Sequence, residues 1–152
     1  MTPDELDPDL LDAVRFVVYD ALATTGAAPP RSRLEAIAGG STRLDAALRA
    51  LHDAHALVLN EDGSIRMALP FSAIPTDHEV VATDGRRWWA NCAWDALAIP
   101  SLVGRDAQIT SRWLDDGSPL TLTVTAEGTQ PDRGLVHFLV PACRWWDDIV
   151  ET

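Results

Sequence analysis

The chain has 152 residues, and 47% of them are hydrophobic, which is enough for one ordinary core or for two small units that share one. No apolar run approaches the roughly 18 residues that cross a bilayer, and the acidic first five residues are unlike a signal peptide. With 12 basic and 23 acidic residues, the formal net charge is -11, which disfavours nucleic acid and anionic membranes as partners. We therefore expect a cytoplasmic protein that binds small molecules, with no nucleic-acid or membrane partner.

The first half of the chain has helical periodicity. Asp7 and Pro8 form an N-cap and first-turn pair, and Gly26 is typical of a helix C-terminus. A diproline then separates this helix from a predicted short helix over residues 31–38. The pattern therefore predicts two consecutive helices before residue 40.

A third helix and a hairpin complete this half. Thr42 and Asp45 fit a capping box, and the helix that they open is predicted to run to about His55. Residues 57–59 and 65–67 flank a turn and predict a β-hairpin. Three helices followed by a hairpin are the outline of a winged helix-turn-helix.

The second half changes to strand periodicity. Asp84 and Gly85 predict a primed turn between two strands, residues 90–97 are compatible with a helix, and Pro100 is expected to open a further helical turn. The predicted strands span 80–82, 87–89, 107–113, 120–126 and 135–140. The fold class is therefore α+β, with a winged-helix-like unit over residues 1–75 followed by a mostly antiparallel sheet over residues 76–152.

Cys92 and Asp95 are the pair with the clearest chemical potential. On a helix, positions three apart share a face, and the first turn favours an anion, so the pattern predicts a lowered thiol pKa at Cys92. A carboxylate beside a thiolate opposes that shift unless a soft cation lies between them or the carboxyl carries a proton. Spacing alone leaves open that Cys92 is a packed small hydrophobe and Asp95 a solvated carboxylate.

Other candidate residues have alternatives that remain open. His52 and His55 could bind a metal, or they could complement the end of their helix. His137 lies between Leu135 and Leu139 in a predicted strand, where a hydrogen-bonded core histidine is the simpler interpretation. No phosphate-binding glycine loop, CxxC or GxSxG motif occurs, so nucleotide, zinc-ribbon and serine-hydrolase functions have no support.

The tryptophans occur partly as adjacent pairs, at 88–89 and 145–146. Adjacent side chains in a strand face opposite ways, so one of Trp88 and Trp89 is expected to pack inside. The other, or Trp94, could line an apolar pocket.

Three stretches together resemble the alkylmercury (organomercurial) lyase family. Residues 57–75 are similar to the segment that leads into the catalytic domain of these enzymes. Residues 88–97, WWANCAWDAL, resemble their active-site helix, in which a cysteine and an aspartate stand three apart. Residues 102–105, LVGR, continue the likeness, which covers about 8–152.

The resemblance implies an activity. In the family, a thiolate attacks the mercury of an organomercurial, a second thiol joins it, and the aspartate relays a proton to carbon as the carbon–mercury bond breaks. Here Cys92 would be the first thiol and Asp95 the proton relay, both contacting mercury transiently. No resident cofactor is implied: Hg(II) is the bound product, and low-molecular-weight thiols remove it. The expected role is mercury detoxification.

The second sulfur is the point of departure from the family pattern. The family's second cysteine is expected after the segment at residues 145–152, where this sequence ends. Either the protein is shortened, or Cys143 replaces that cysteine, or an external thiol does. The alternatives are a non-catalytic relative that binds Hg(II) or another soft metal, and a winged-helix transcriptional regulator.

Overall fold

The computed structural model describes residues 7–150, and within them the strands form one antiparallel sheet beside four α-helices. The helices are α1 (Pro8–Thr25), α2 (Arg31–Ala38), α3 (Ser41–Asp53) and α4 (Ala93–Val103), with a C-terminal 3-10 helix at Ala142–Asp147. The strands are β1 (Val58–Leu59), β2 (Ile65–Ala68), β3 (Phe71–Ser72), β4 (Glu79–Ala82), β5 (Arg87–Ala90), β6 (Ala107–Arg112), β7 (Pro119–Thr125) and β8 (Gly128–Gln130). Their order across the sheet is β1-β2-β3-β5-β4-β6-β7-β8. The fold is α+β, as predicted.

The predicted ends of α1 are confirmed. The Asp7 carboxylate accepts a hydrogen bond from the Asp9 backbone N–H at 3.0 Å, and Pro8 occupies the first turn. Gly26 adopts a left-handed conformation with φ 72°, and its N–H caps the Leu22 carbonyl. Local capping chemistry alone fixes both ends of this helix.

The start of α3 corrects the capping-box prediction. The helix begins at Ser41, two residues earlier than that motif requires, and Gly40 is its N-cap without a side-chain hydrogen bond. Thr42 therefore lies inside the first turn, where it cannot be the cap. The short helix at 31–38 and the hairpin formed by β1 and β2 agree with the predictions.

The β4–β5 hairpin is confirmed, but its turn is of a different type. Among residues 7–150, His55 is the only non-glycine with positive φ, so Asp84 is not left-handed although Gly85 is, at φ 87°. A primed turn with Asp84 and Gly85 at its centre needs positive φ at Asp84. The Gly85 N–H instead donates to the Ala82 carbonyl at 2.9 Å and closes an ordinary turn one residue earlier.

Helix α4 differs from the predicted segment at 90–97. Residue 90 still belongs to β5, and the helix runs from 93 to 103 with Pro100 inside it rather than at the start of a new turn. An internal proline removes one backbone hydrogen bond. Ile99 and Pro100 are buried, and we attribute the continuity of the helix to this apolar packing.

The predicted strand at 135–140 is wrong. The segment is irregular, and Leu135 and Leu139 are 97% and 68% exposed. β8 occupies the position beside β7, and no strand within residues 7–150 pairs with the later segment. His137 is exposed, and its interpretation as a core histidine is also wrong.

The core joins the helices to the sheet. Trp88 is 1% exposed, which confirms that one member of its pair packs inside, and its indole N–H donates to the Leu22 and Ala23 carbonyls at 3.0 and 3.1 Å. The sheet continues across the predicted domain boundary near Pro75, because β3 pairs with β5. The division at this boundary stays a prediction. None of the helices within 7–150 combines the length and the apolarity that a membrane span requires.

Candidate functional site

A cavity of about 150 Å³ lies where the N-terminus of α4 faces the segment after β3 and the C-terminal part of the chain. Cys92 and Asp95 line it together with the polar residues Asn91 and Arg66. Apolar and aromatic side chains form much of the remaining wall: Met67, Ile74, Trp94, Phe138, Trp145 and Ile149. The two residues predicted to carry the chemistry therefore share one mostly apolar cavity.

Cys92 is the N-cap of α4 rather than a residue of its first turn. Its backbone is extended, with φ -148° and ψ 176°, and its Sγ accepts a hydrogen bond from the Asp95 backbone N–H at 3.5 Å. The sulfur thus takes the place that a serine or aspartate oxygen takes at other helix N-termini. This contact fixes Asp95 in the turn directly beside the thiol.

The predicted lowering of the Cys92 pKa is wrong. Burial raises the pKa of the half-buried Cys92 thiol because it disfavours the thiolate. The Asp95 backbone N–H lowers the pKa, but the negative charge of the Asp95 carboxylate raises it again. The helix terminus acts as expected, and desolvation outweighs it.

Asp95 is shifted in the same direction. Burial raises the pKa of the Asp95 carboxyl, opposed by hydrogen bonds from Asn91 and Cys92. The Asn91 contact is long, 3.4 Å from Nδ2 to Oδ2, so it stabilises the carboxylate only weakly. A thiol beside a carboxylate whose pKa is raised can pass its proton to that carboxylate when a soft cation binds the sulfur.

Cys143 is exposed in the C-terminal 3-10 helix and is not among the residues that line the cavity. Trp145 of the same short helix does line it, and its ring packs against Phe138 with 5.1 Å between centroids. The structure therefore brings this helix to the cavity through its tryptophan rather than its cysteine.

His52 and His55 have other partners. His52 Nδ1 lies 3.3 Å from the Leu57 carbonyl oxygen, within hydrogen-bonding range. The His55 ring stacks on Trp146 with 4.0 Å between centroids and an interplanar angle of 4°. No group of three or more His, Cys, Asp or Glu side chains that could hold a metal occurs within 7–150. Both histidines complete the packing at the end of α3.

Sequence reasoning missed Asn91 and Arg66. Two signals in the sequence could have drawn attention to these residues. Asn91 directly precedes Cys92, and Arg66 is the one charged residue in the strand sequence IRMA. Neither signal is specific without the cavity.

Taken together, the fold and the site define a class of protein: an α+β protein with a thiol and a carboxyl paired at a helix N-terminus in an aromatic cavity. Comparison with known proteins narrows the class. The family model described as alkylmercury lyase matches residues 71–152. The chain belongs to the alkylmercury lyase family.

Individual relatives agree with this assignment. The chain is 39% identical over 85 residues to an alkylmercury lyase of Pseudomonas putida, covering 54% of this chain and 39% of the relative. It is 31% identical over 86 residues to an alkylmercury lyase of Bacillus cereus, covering 55% and 38%. These matches thus span less than half the length of either relative.

A solved structure extends the likeness beyond the matched sequence. It is described as the mercury-bound form of MerB2, and it superposes with a TM-score of 0.62 at 26% identity. The match covers 85% of this chain and 63% of that one. The similarity in fold therefore includes much of the N-terminal half, which the family model does not reach.

Proposed function

We propose that this protein is an organomercurial lyase-like enzyme that protonolyses carbon–mercury bonds and releases a hydrocarbon and Hg(II). The observation that carries the proposal is the placement of Cys92 and Asp95 in one cavity, joined by the bond from the Asp95 N–H to the sulfur. Family membership supplies the substrate class. The shared cavity and the family membership together support this activity more strongly than the spacing of Cys92 and Asp95 alone.

The first step is the exchange of a proton for mercury at Cys92. The sulfur binds the mercury of an organomercurial, because mercury is soft and thiophilic. As the sulfur–mercury bond forms, the anion bound to the organomercury cation leaves to solvent, and the adjacent Asp95 carboxylate accepts the thiol proton. A raised pKa suits Asp95 to this role, since a carboxylate with a higher pKa is a stronger base and takes up a proton more readily.

The second step returns that proton to carbon. Asp95 protonates the carbon bound to mercury, the carbon–mercury bond breaks, and the hydrocarbon leaves while Hg(II) remains on sulfur. The aromatic wall formed by Trp94, Phe138 and Trp145 is suited to an apolar organic group and limits access of water.

A second thiol is needed to hold and remove the metal product. Since Cys143 is exposed and does not line the cavity, we assign this role to a low-molecular-weight thiol from solution. Cys143 would then be dispensable for turnover.

The helical unit, which consists of α1–α3 and the β1–β2 hairpin, is proposed to be a winged-helix-like structural module. Its α1 receives the Trp88 indole hydrogen bond, and its β1–β2 hairpin continues into the sheet that bears the site. These contacts favour a supporting role over DNA recognition, as does the net charge of -11.

The test is release of benzene from phenylmercury in the presence of excess thiol, measured by headspace gas chromatography. We expect turnover by the wild-type protein, none by Cys92→Ser, and a loss of about 10²–10⁴-fold in Asp95→Asn, because general acid–base catalysis is worth that much. The matched control Cys143→Ser should retain wild-type turnover. Benzene at only the buffer rate from the wild-type protein would refute the proposed activity.

A second candidate is a relative that binds Hg(II) or another soft metal without cleaving carbon–mercury bonds. The exposed position of Cys143 outside the cavity favours it, because Cys92 is then the single thiol among the described residues that line the cavity. This candidate predicts stoichiometric Hg(II) binding without hydrocarbon release. It fails if Cys92→Ser leaves the affinity for Hg(II) unchanged.

A further inference from the structure

Arg66 is an unexpected component of the cavity wall. It lies in β2 between the buried residues Ile65 and Met67, and it is only partly exposed. Its Nε is buried and has no hydrogen-bond partner within residues 7–150. Its Nη1 donates to the Asn60 side-chain oxygen at 3.5 Å, which is too long for a strong bond.

Arg66 also differs from the other arginines of the protein. The arginines in ion pairs with carboxylates are Arg15, Arg31, Arg86, Arg87, Arg105, Arg112 and Arg144. Of those without an ion pair in the described part of the chain, Arg33, Arg43, Arg49 and Arg133 are exposed, so water solvates them. Arg66 alone combines partial burial with the lack of a carboxylate partner there.

This arrangement is unusual in so acidic a protein. Carboxylates outnumber basic side chains 23 to 12, yet the ion pairs of the described residues leave this shielded guanidinium unmatched. A buried N–H donor without an acceptor is costly, and Nε of Arg66 is such a donor. The only other buried side-chain polar atom without a partner in residues 7–150, Asn91 Oδ1, belongs to a residue that lines the same cavity. Both unmatched atoms therefore point to a ligand with polar groups.

We propose that the cavity binds thiol-reactive molecules that carry a carboxylate, and that Arg66 is the specificity-determining residue that recognises it. The inference rests on the proposed function for the identity of the electrophile, which would be an organomercurial with a carboxylate on its organic group. Arginine suits this role, because its planar fork of N–H donors matches a carboxylate. The apolar wall would contact the rest of the organic group.

The test compares two alkylating agents that differ in charge. Iodoacetate and iodoacetamide both form a thioether at Cys92 with loss of iodide, and the rates are followed by mass spectrometry in a Cys143→Ser background. The ratio of the two rates cancels changes in thiol reactivity and leaves the preference for the carboxylate. We expect Arg66→Gln to lower the iodoacetate/iodoacetamide ratio by about tenfold, as for loss of a charge-assisted hydrogen bond.

Two variants separate recognition from net charge. Arg66→Lys keeps the cation and should retain most of the ratio. The matched control Arg49→Gln removes an exposed arginine of α3 and should leave the ratio at its wild-type value. An unchanged ratio in Arg66→Gln, or an equal fall in Arg49→Gln, overturns the proposal.

A competition measurement on the protein with its native Arg66 does not depend on whether the Arg66→Gln variant folds. Benzoate should protect Cys92 from iodoacetamide at about tenfold lower concentration than benzamide, and equal protection by the two overturns the proposal. None of these rates requires carbon–mercury cleavage. Release of benzene from phenylmercury without a preference for carboxylates would therefore refute only the proposed role of Arg66. A preference for carboxylates without release of benzene would refute only the proposed lyase activity.

Discussion

Trp88→Phe tests the contact that joins the helical unit to the sheet bearing the site. Trp88 is 1% exposed, and its indole N–H donates to the Leu22 and Ala23 carbonyls at the end of α1. Leu22 O also accepts from the Gly26 N–H at 2.9 Å and stays paired after the change. Ala23 O loses the indole donor, and the smaller ring leaves a void in the core.

The cost follows from these two losses. Leaving a partly buried carbonyl short of a donor costs about 1–3 kcal/mol. The void adds about 1–2 kcal/mol, because removing part of a buried ring costs less than the 3–5 kcal/mol of full truncation to alanine. We therefore expect Trp88→Phe to lower the free energy of unfolding by about 2–5 kcal/mol.

The assay is urea denaturation followed by far-UV circular dichroism. The matched control is Trp94→Phe, whose side chain is 53% exposed, and for it we expect a change within about 0.5 kcal/mol. Equal unfolding free energies for the two variants would show that the indole hydrogen bonds do not couple α1 to β5.

The remaining predictions concern the site and its support. Asp95→Asn removes the negative charge that raises the pKa of the Cys92 thiol, so the alkylation midpoint of this cysteine should move to lower pH; an unchanged or higher midpoint contradicts this. Because the folded pKa of Asp95 is raised, its ionisation destabilises the fold as pH rises through that pKa, so Asp95→Asn should gain stability to urea at pH 7 but not at pH 3. Gly26→Ala would place Cβ 2.0 Å from the Arg87 carbonyl oxygen, whereas Gly63→Ala, also at positive φ, meets no atom within 4 Å. Gly26→Ala should therefore destabilise by at least about 1 kcal/mol more in urea melts, and equal losses would contradict the clash.

Local signals in the sequence were sufficient for much of the fold. The ends of α1 and the two hairpins depend on residues within a few positions of one another, so capping and turn chemistry could predict them. The segment 135–140 has a strand-like alternation but does not join the sheet, which ends at β8 beside β7. Pairing partners are a property of the whole sheet, and a local pattern cannot supply them.

In the candidate site, too, local features could be predicted from the sequence, whereas features that depend on distant residues could not. The spacing of Cys92 and Asp95 is local and was sufficient to single out the pair. The rise in the thiol pKa was missed, because it depends on burial in a cavity completed by residues far along the chain, such as Phe138 and Trp145. The unmatched Arg66 could not be recognised from sequence for the same reason, since only the folded chain reveals which charges lack partners.

The raised pKa values at Cys92 and Asp95 favour a reaction started by the metal over one started by a free thiolate. A site with a lowered thiol pKa would present a thiolate to any electrophile, whereas burial here keeps the proton on sulfur until something stronger displaces it. A soft cation such as mercury binds sulfur strongly enough to do so, and in the proposed reaction the Asp95 carboxylate accepts the released proton, because its raised pKa makes it a stronger base. Burial therefore slows the reaction of this thiol with other electrophiles relative to thiophilic metals, and in the proposed mechanism it keeps beside the bound metal the proton that cleavage of a carbon–mercury bond consumes.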